Sequence, residues 1–209
     1  MAHDLRRQAI DTLSTVYPSQ FDEWSDRNTT RLVPHFIGET AAMIALCHQT
    51  GIRVFLPGVY YTAAKRPLSD VLGELHSLDL DNVTKQTICT RFILGREKLR
   101  ETEIKSTLSF FEPTFNRPDC QNINDTSALQ CYAGTALLRT ADAEPYQDWC
   151  MSNPELVGKF INVCGGCCDT IEEHIRDAKR NIWKHLPSFF DLPDWDTLRA
   201  EDEVDEVDE

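Results

Sequence analysis

Six residues late in this chain, Cys168, Ile171, Ile175, Ala178, Ile182 and Leu186, recur at intervals of 3, 4, 3, 4 and 4. That is the 3.6-residue period of an α-helix, and a stripe of this kind must be covered by a partner face. Pro187 follows immediately and is expected to stop the helix. The same period recurs upstream. Leu5, Ala9, Leu13 and Val16 form a stripe ended by Pro18, and Ala41, Ile44 and Ala45 lie between Gly38 and Gly51. Short helices are expected over Val59 to Ala64 and Leu68 to Leu75. A longer one opens near Asp81-Asn82 and passes Ile88, Phe92, Leu99, Ile104, Leu108 and Phe111, with Gly95 as a point of breakage. Leu129, Tyr132, Ala133 and Ala136 mark another. Arg53 to Leu56 and Phe160 to Val163 are the only strand candidates, and neither alternates. The reading is an all-α, irregular multi-helix domain in two layers.

Tyr17 to Leu32, Glu112 to Thr126 and Asp142 to Asn153 read as linkers. The second, with Pro113 and Pro118, divides a first helical layer (1–112) from a cysteine-bearing layer (113–200). Residues 201–209 hold seven acids and no base, and read as a disordered acidic tail. Formal net charge is −13, of which the chain before the tail carries −6. A nucleic-acid partner is therefore not expected, since no dense basic footprint exists to displace counterions. The longest apolar run, Ala41 to Cys47, falls far short of the ~20 residues of a membrane span. No apolar leader follows Met1, so a cytoplasmic or nuclear location with reduced thiols is expected.

The eight cysteines then point to metal, redox chemistry or core packing. Cys164-Gly165-Gly166-Cys167 is the sharpest local signal. Two cysteines two residues apart can grip one metal ion, and the N-terminus of the helix that follows favours thiolates. Cys131 is a candidate third ligand, because it lies opposite the apolar stripe of its own helix. Cys120 in the preceding loop is a candidate fourth, with Cys150 in reserve. His174, seven residues past Cys167, is ~10 Å along the helix and too distant. Plain structural cysteines remain an alternative, and so does a thiol–disulfide oxidoreductase using Cys164 and Cys167. The chain has no phosphate loop, GxSxG or HExxH, and its histidines are scattered. Leu186-Pro187-Ser188-Phe189-Phe190-Asp191-Leu192-Pro193-Asp194-Trp195 gathers large apolar groups next to the charged tail, and is expected to fold back as a clasp.

Residues Ile182 to Trp195, with Trp183, Leu186, Pro187, Phe190, Leu192, Pro193 and Trp195 in place, resemble the ending of fungal BTB/POZ-domain proteins. Leu5 to Leu13 is similar to that family's first helix after the BTB fold, and Tyr17 to Trp24 follows as expected. Leu94-Gly95-Arg96-Glu97-Lys98-Leu99 resembles its central segment. The resemblance implies a non-enzymatic protein–protein interaction or scaffold region. It also implies a structural zinc held by Cys120, Cys131, Cys164 and Cys167, although the gap between Cys120 and Cys131 is longer than the family pattern. The BTB fold, which would precede Leu5 and bring two chains together, is absent from the sequence. A monomer is therefore expected, with Leu5, Leu13 and Val16 partly uncovered.

Overall fold

A computed structural model of the protein describes residues 2–107, 109 and 164–204. Among them every regular element is an α-helix, as the periodicity predicts. The elements are α1 (Ala2–Ser14), α2 (Phe21–Thr30), α3 (Glu39–Thr50), α4 (Leu56–Ala64), α5 (Leu68–His76), α6 (Asn82–Thr107), α7 (Gly165–Phe189) and α8 (Trp195–Val204). Two compact units emerge, one of Met1–Leu99 with Trp183–Glu209 and one of Arg100–Ile182.

The first unit is organised around α4. Leu56, Val59, Tyr60, Tyr61, Ala63 and Ala64 are all buried, and a helix apolar all round can only be a central one. The turn before it, which includes Arg53, is no strand: Leu56 N–H bonds the Arg53 carbonyl at 3.0 Å. Helix α3 packs on α4 and α5. It ends at Gly51 with φ 76°, a left-handed conformation that glycine adopts without a Cβ penalty. Helix α6 is capped by Asp81, whose Oδ1 accepts from Thr84 N–H at 2.9 Å. Gly95 does not break it. The ring of Phe190 lies so close there that a Cβ would stand 2.1 Å from its Cδ1, so glycine serves a close approach. Its neighbour Arg96 is 5% exposed, and Nε donates to the Ala64 carbonyl at the end of α4 at 3.2 Å. There a cation also complements the helix dipole.

Two expectations are corrected nearby. Residues 17–32 are not a linker, because α2 lies within them. It carries a single core residue, Trp24, and has Asp22 and Glu23 in its first turn, where acids favour the helix. On α1 Leu13 is half-buried and Leu5 stands exposed, whereas Val16, just past the helix, is buried rather than uncovered.

The C-terminal residues fold back as a clasp. Pro187 does not stop α7, which continues to Phe189. The chain then reverses through a Schellman closure: Leu192 N–H bonds the Pro187 carbonyl at 3.1 Å and Asp191 N–H the Ser188 carbonyl at 3.3 Å. Leu186, Phe190, Leu192, Trp195 and Leu198 are buried. Trp183 packs at a tilt against Trp24 (4.6 Å between centroids) and stacks on Trp195 (5.5 Å). Both indoles are anchored, Trp183 N–H on the Ser19 carbonyl at 2.9 Å and Trp195 N–H on the Trp183 carbonyl at 2.8 Å. Such aromatic pairs add ~0.5–1.5 kcal/mol each beyond burial. Helix α8 is capped by Asp194 through Thr197 N–H at 2.8 Å and runs on to Val204. Glu201 within it grips Arg53 at 2.7 Å.

The closure leaves Asp191 at φ 51°, the one non-glycine residue with positive φ among those described. Asp191→Gly should stabilise the protein by ~0.5 kcal/mol: it relieves the left-handed strain of ~1 kcal/mol and forfeits an exposed ion pair with Lys98. Chemical denaturation of the two proteins checks this.

In the second unit, the apolar stripe of α7 is topped by Cys167 rather than Cys168. Cys167 and Ile171 are fully buried, with Ile175, Ala178 and Ile182 continuing below, while Cys168 is half-exposed. His174 Nε2 lies 2.7 Å from Ser109 Oγ and 3.0 Å from the Ser106 carbonyl, so the histidine joins α7 to the segment ending α6.

Candidate functional site

Of the four proposed metal ligands, Cys164 immediately precedes α7 and Cys167 lies in its first turn; Cys120 and Cys131 lie outside the described residues, as does the reserve Cys150. Cys164 sits at the N-cap, its carbonyl accepting Cys168 N–H at 3.0 Å, and is half-exposed. Cys167 follows on the same turn and is buried. Cys168 differs. Burial pushes its thiol up, the Glu172 carboxylate adds to this, and Sγ lies 3.6 Å from Glu172 Oε1. A protonated thiol beside an acid is a poor ligand and a poor nucleophile. Among the described residues no three histidine, cysteine or acidic side chains converge as a metal site. Cys164 and Cys167 could supply two thiol donors, and the other two expected ligands, Cys120 and Cys131, lie outside the described residues.

A second arrangement has no counterpart in the sequence reading. Residues 31–38, between α2 and α3, are fixed by a half-buried polar network centred on Glu39. Its Oε2 accepts from Arg31 Nη2 at 3.0 Å and lies 3.1 Å from His35 Nδ1, and its Oε1 accepts from Tyr17 Oη at 3.0 Å. Arg31 Nε also donates to the Val33 carbonyl at 2.6 Å, and Leu32 N–H bonds Thr15 Oγ1 at 3.0 Å. Burial raises the Glu39 carboxyl, but its hydrogen bonds from Arg31 and Tyr17 outweigh that and hold it below the usual carboxylate range. Burial, and then the charge of Glu39, push the Tyr17 phenol well above its ordinary value. Both groups therefore stay in the form that binds the other at neutral pH.

What this network holds is apolar and faces water. Leu32 is 69% exposed, Phe36 52%, and Ile37 fully. An ordered loop that leaves three large apolar groups in solvent is unlike a solvated linker. The only trace in the sequence is the run Leu32-Val33-Pro34-His35-Phe36-Ile37 without helical or alternating spacing.

Remaining polar features serve the scaffold. Arg66 and Glu74 form an ion pair across the start of α5, Arg66 Nη1 donating to Glu74 Oε2 at 2.8 Å. The Tyr60 hydroxyl and His48 Nε2 are buried without a hydrogen bond of standard geometry. Arg91 acts on both groups electrostatically, and the Tyr60 phenol is pushed up to about 12, chiefly by burial. A shallow depression of about 380 Å³ runs along α6, lined by Val83, Thr87, Thr90, Arg91, Leu94 and Asp191. No helix among the described residues is long and apolar enough to cross a membrane. No protein-family model matches this chain, and no curated protein or solved structure matches it either.

Proposed function

We propose that this chain is a non-enzymatic protein–protein interaction or scaffold region of BTB/POZ type, with a structural zinc on its cysteines. The observation that carries the reading is the loop of residues 31–38, where a half-buried ion pair between Arg31 and Glu39 (3.0 Å) fixes a segment whose apolar side chains face outward. The resemblance to the BTB/POZ ending is supported by the parts its residues play. Trp183, Leu186, Phe190, Leu192 and Trp195 all pack in the first unit, and Gly95 and Arg96 meet that core from α6. Residues with such roles tolerate few replacements, so a shared pattern among them reflects a shared way of packing. The partner is a protein rather than a nucleic acid, given the acidic surface.

Zinc would be held by Cys164 and Cys167 together with Cys120 and Cys131, where it would tie the start of α7 to the preceding chain. Purified from zinc-supplied cells, the protein should carry about one zinc per chain. Cys164→Ser should release it and lower the melting temperature. Metal analysis beside thermal melts checks both, and zinc-free protein with an unchanged melt rejects the site.

The burial of the two thiols also favours a second reading, a thiol–disulfide oxidoreductase. A half-exposed Cys164 could attack a substrate disulfide, and the buried Cys167 resolve it. An assay with a small aromatic disulfide and a thiol reductant separates the two. The interaction reading expects no turnover above the reductant alone; turnover that Cys164→Ser abolishes would overturn it.

A further inference from the structure

The interaction reading leaves open where the partner docks and what chemistry it brings, and the first unit answers both. Three apolar side chains, Leu32, Phe36 and Ile37, stand in solvent on a loop that is not free to withdraw them. Tyr17, Arg31 and Glu39 hold its two ends, and the Phe36 carbonyl is tied to Glu39 N–H at 3.2 Å. The loop continues directly from α2, since Arg31 N–H bonds the Arg27 carbonyl at 2.9 Å and so extends the last turn. On α2 the charges are sorted. Asp22, Glu23 and Asp26 are exposed. The two cations of the same stretch turn inward: the Arg27 guanidinium lies 3.7 Å over the Trp24 ring and donates to the Trp24 carbonyl at 2.9 Å, and Arg31 is engaged by Glu39. The apolar loop therefore follows directly on a helix whose exposed charges are acidic.

We infer that the loop of residues 31–38 and the outer face of α2 form one docking surface, whose occupant is a basic amphipathic segment of a partner protein. Its apolar side chains would cover Phe36 and Ile37, and its lysines or arginines would lie along Asp22, Glu23 and Asp26. Charge complementarity selects this occupant over a second copy of the chain. Two such faces would bring six carboxylates together, in a chain that already carries −13. Opposite charge on the partner also speeds encounter, and the apolar contact then governs how long it stays.

This inference rests on the interaction reading, and the experiment keeps their failures apart. The full chain is titrated with a fluorescent amphipathic peptide of leucine and lysine, and with its leucine–glutamate counterpart, at low and high salt. Phe36→Ser with Ile37→Ser should weaken the basic peptide roughly tenfold or more, as loss of buried anchors does. Asp22→Asn, Glu23→Gln and Asp26→Asn together should weaken it by about threefold to tenfold at low salt and hardly at high salt. An equal neutralisation on α7, Asp169→Asn, Glu173→Gln and Asp177→Asn, changes net charge by the same amount and should leave it within about twofold, because these acids are not part of the proposed surface. The substituted side chains are all exposed, so the variants keep the fold, and circular dichroism verifies that they do. Equal weakening by both neutralised sets, or full binding by the Phe36/Ile37 variant, overturns the surface. A dimer in sedimentation that Phe36→Ser with Ile37→Ser dissociates also overturns it in favour of a second copy, yet leaves the interaction reading intact. Turnover in the disulfide assay, by contrast, overturns the interaction reading itself.

Discussion

Replacing Gly95 with alanine is expected to destabilise the protein by about 3 kcal/mol, the upper part of the range for forced overpacking. In a chain of this size that lowers the melting temperature on the order of 6–12 °C. The sign is the informative part. Alanine in a helix interior ordinarily gains about 1 kcal/mol over glycine. At Gly95 the new Cβ would stand 2.1 Å and 2.6 Å from the Phe190 ring and 2.9 Å from the Phe189 carbonyl oxygen. The ring has nowhere to retreat, being fully buried and stacked on Tyr60 at a centroid distance of 4.9 Å. Gly73 on α5 is the matched control: a Cβ there meets nothing within 4 Å, so Gly73→Ala should stabilise by up to ~1 kcal/mol. Paired denaturation curves settle it. A Gly95→Ala protein as stable as the parent would mean that α6 and the clasp do not meet as described.

The larger effect belongs to truncation. Ending the chain after Leu186 removes Phe190, Leu192, Trp195 and Leu198 from the core. At roughly 1.5–3 kcal/mol for each large apolar side chain, the loss rivals the ~5–15 kcal/mol total stability of a domain. The expected result is loss of a cooperative melt in calorimetry. Ending after Ala200 removes instead the ion pair of Glu201 with Arg53, whose side chains are both about two-fifths exposed. A pair of that kind is worth ~0–1 kcal/mol, so the melt should shift by no more than about 4 °C. Similar melts from the two truncations would return Phe189 to Trp195 to the status of an exposed segment.

Much of the helical content was legible because a covered helix writes its buried face into the spacing of its residues. The stripe from Ile171 to Leu186 is the clearest case. Its start was misphased by one residue, since Cys167 and Cys168 each fit the period, at 4 and 3 residues before Ile171, and only packing selects between them. Helix α2 was hidden because it buries Trp24 and little else, so no stripe exists to be read. Gly95 and Pro187 read as breaks by their intrinsic preferences, and tertiary context prevails at both. The first admits Phe190, and the second sits in a last turn whose carbonyls the Schellman closure satisfies. For the candidate surface almost nothing was legible. Arg31, Glu39 and Tyr17 are linked by loop geometry rather than by any period, and the inward turn of Arg27 depends on where Trp24 stands. Of the cysteines, Cys164 to Cys167 read as a motif just ahead of a helix starting at Cys168; the helix instead begins at Gly165, so Cys164 caps it and Cys167 lies in its first turn.

The claim at the centre of this account is that the chain works by holding another protein at residues 31–38. It is tested most directly by placing a photo-reactive apolar amino acid at Ile37 in the full-length chain, expressed in its own cells, with the exposed Glu97 as the control position. The account predicts a discrete adduct from Ile37 that is absent from Glu97. It also predicts that the adduct fades when Asp22, Glu23 and Asp26 are neutralised. No adduct from Ile37, or the same set of adducts from both positions, would contradict it.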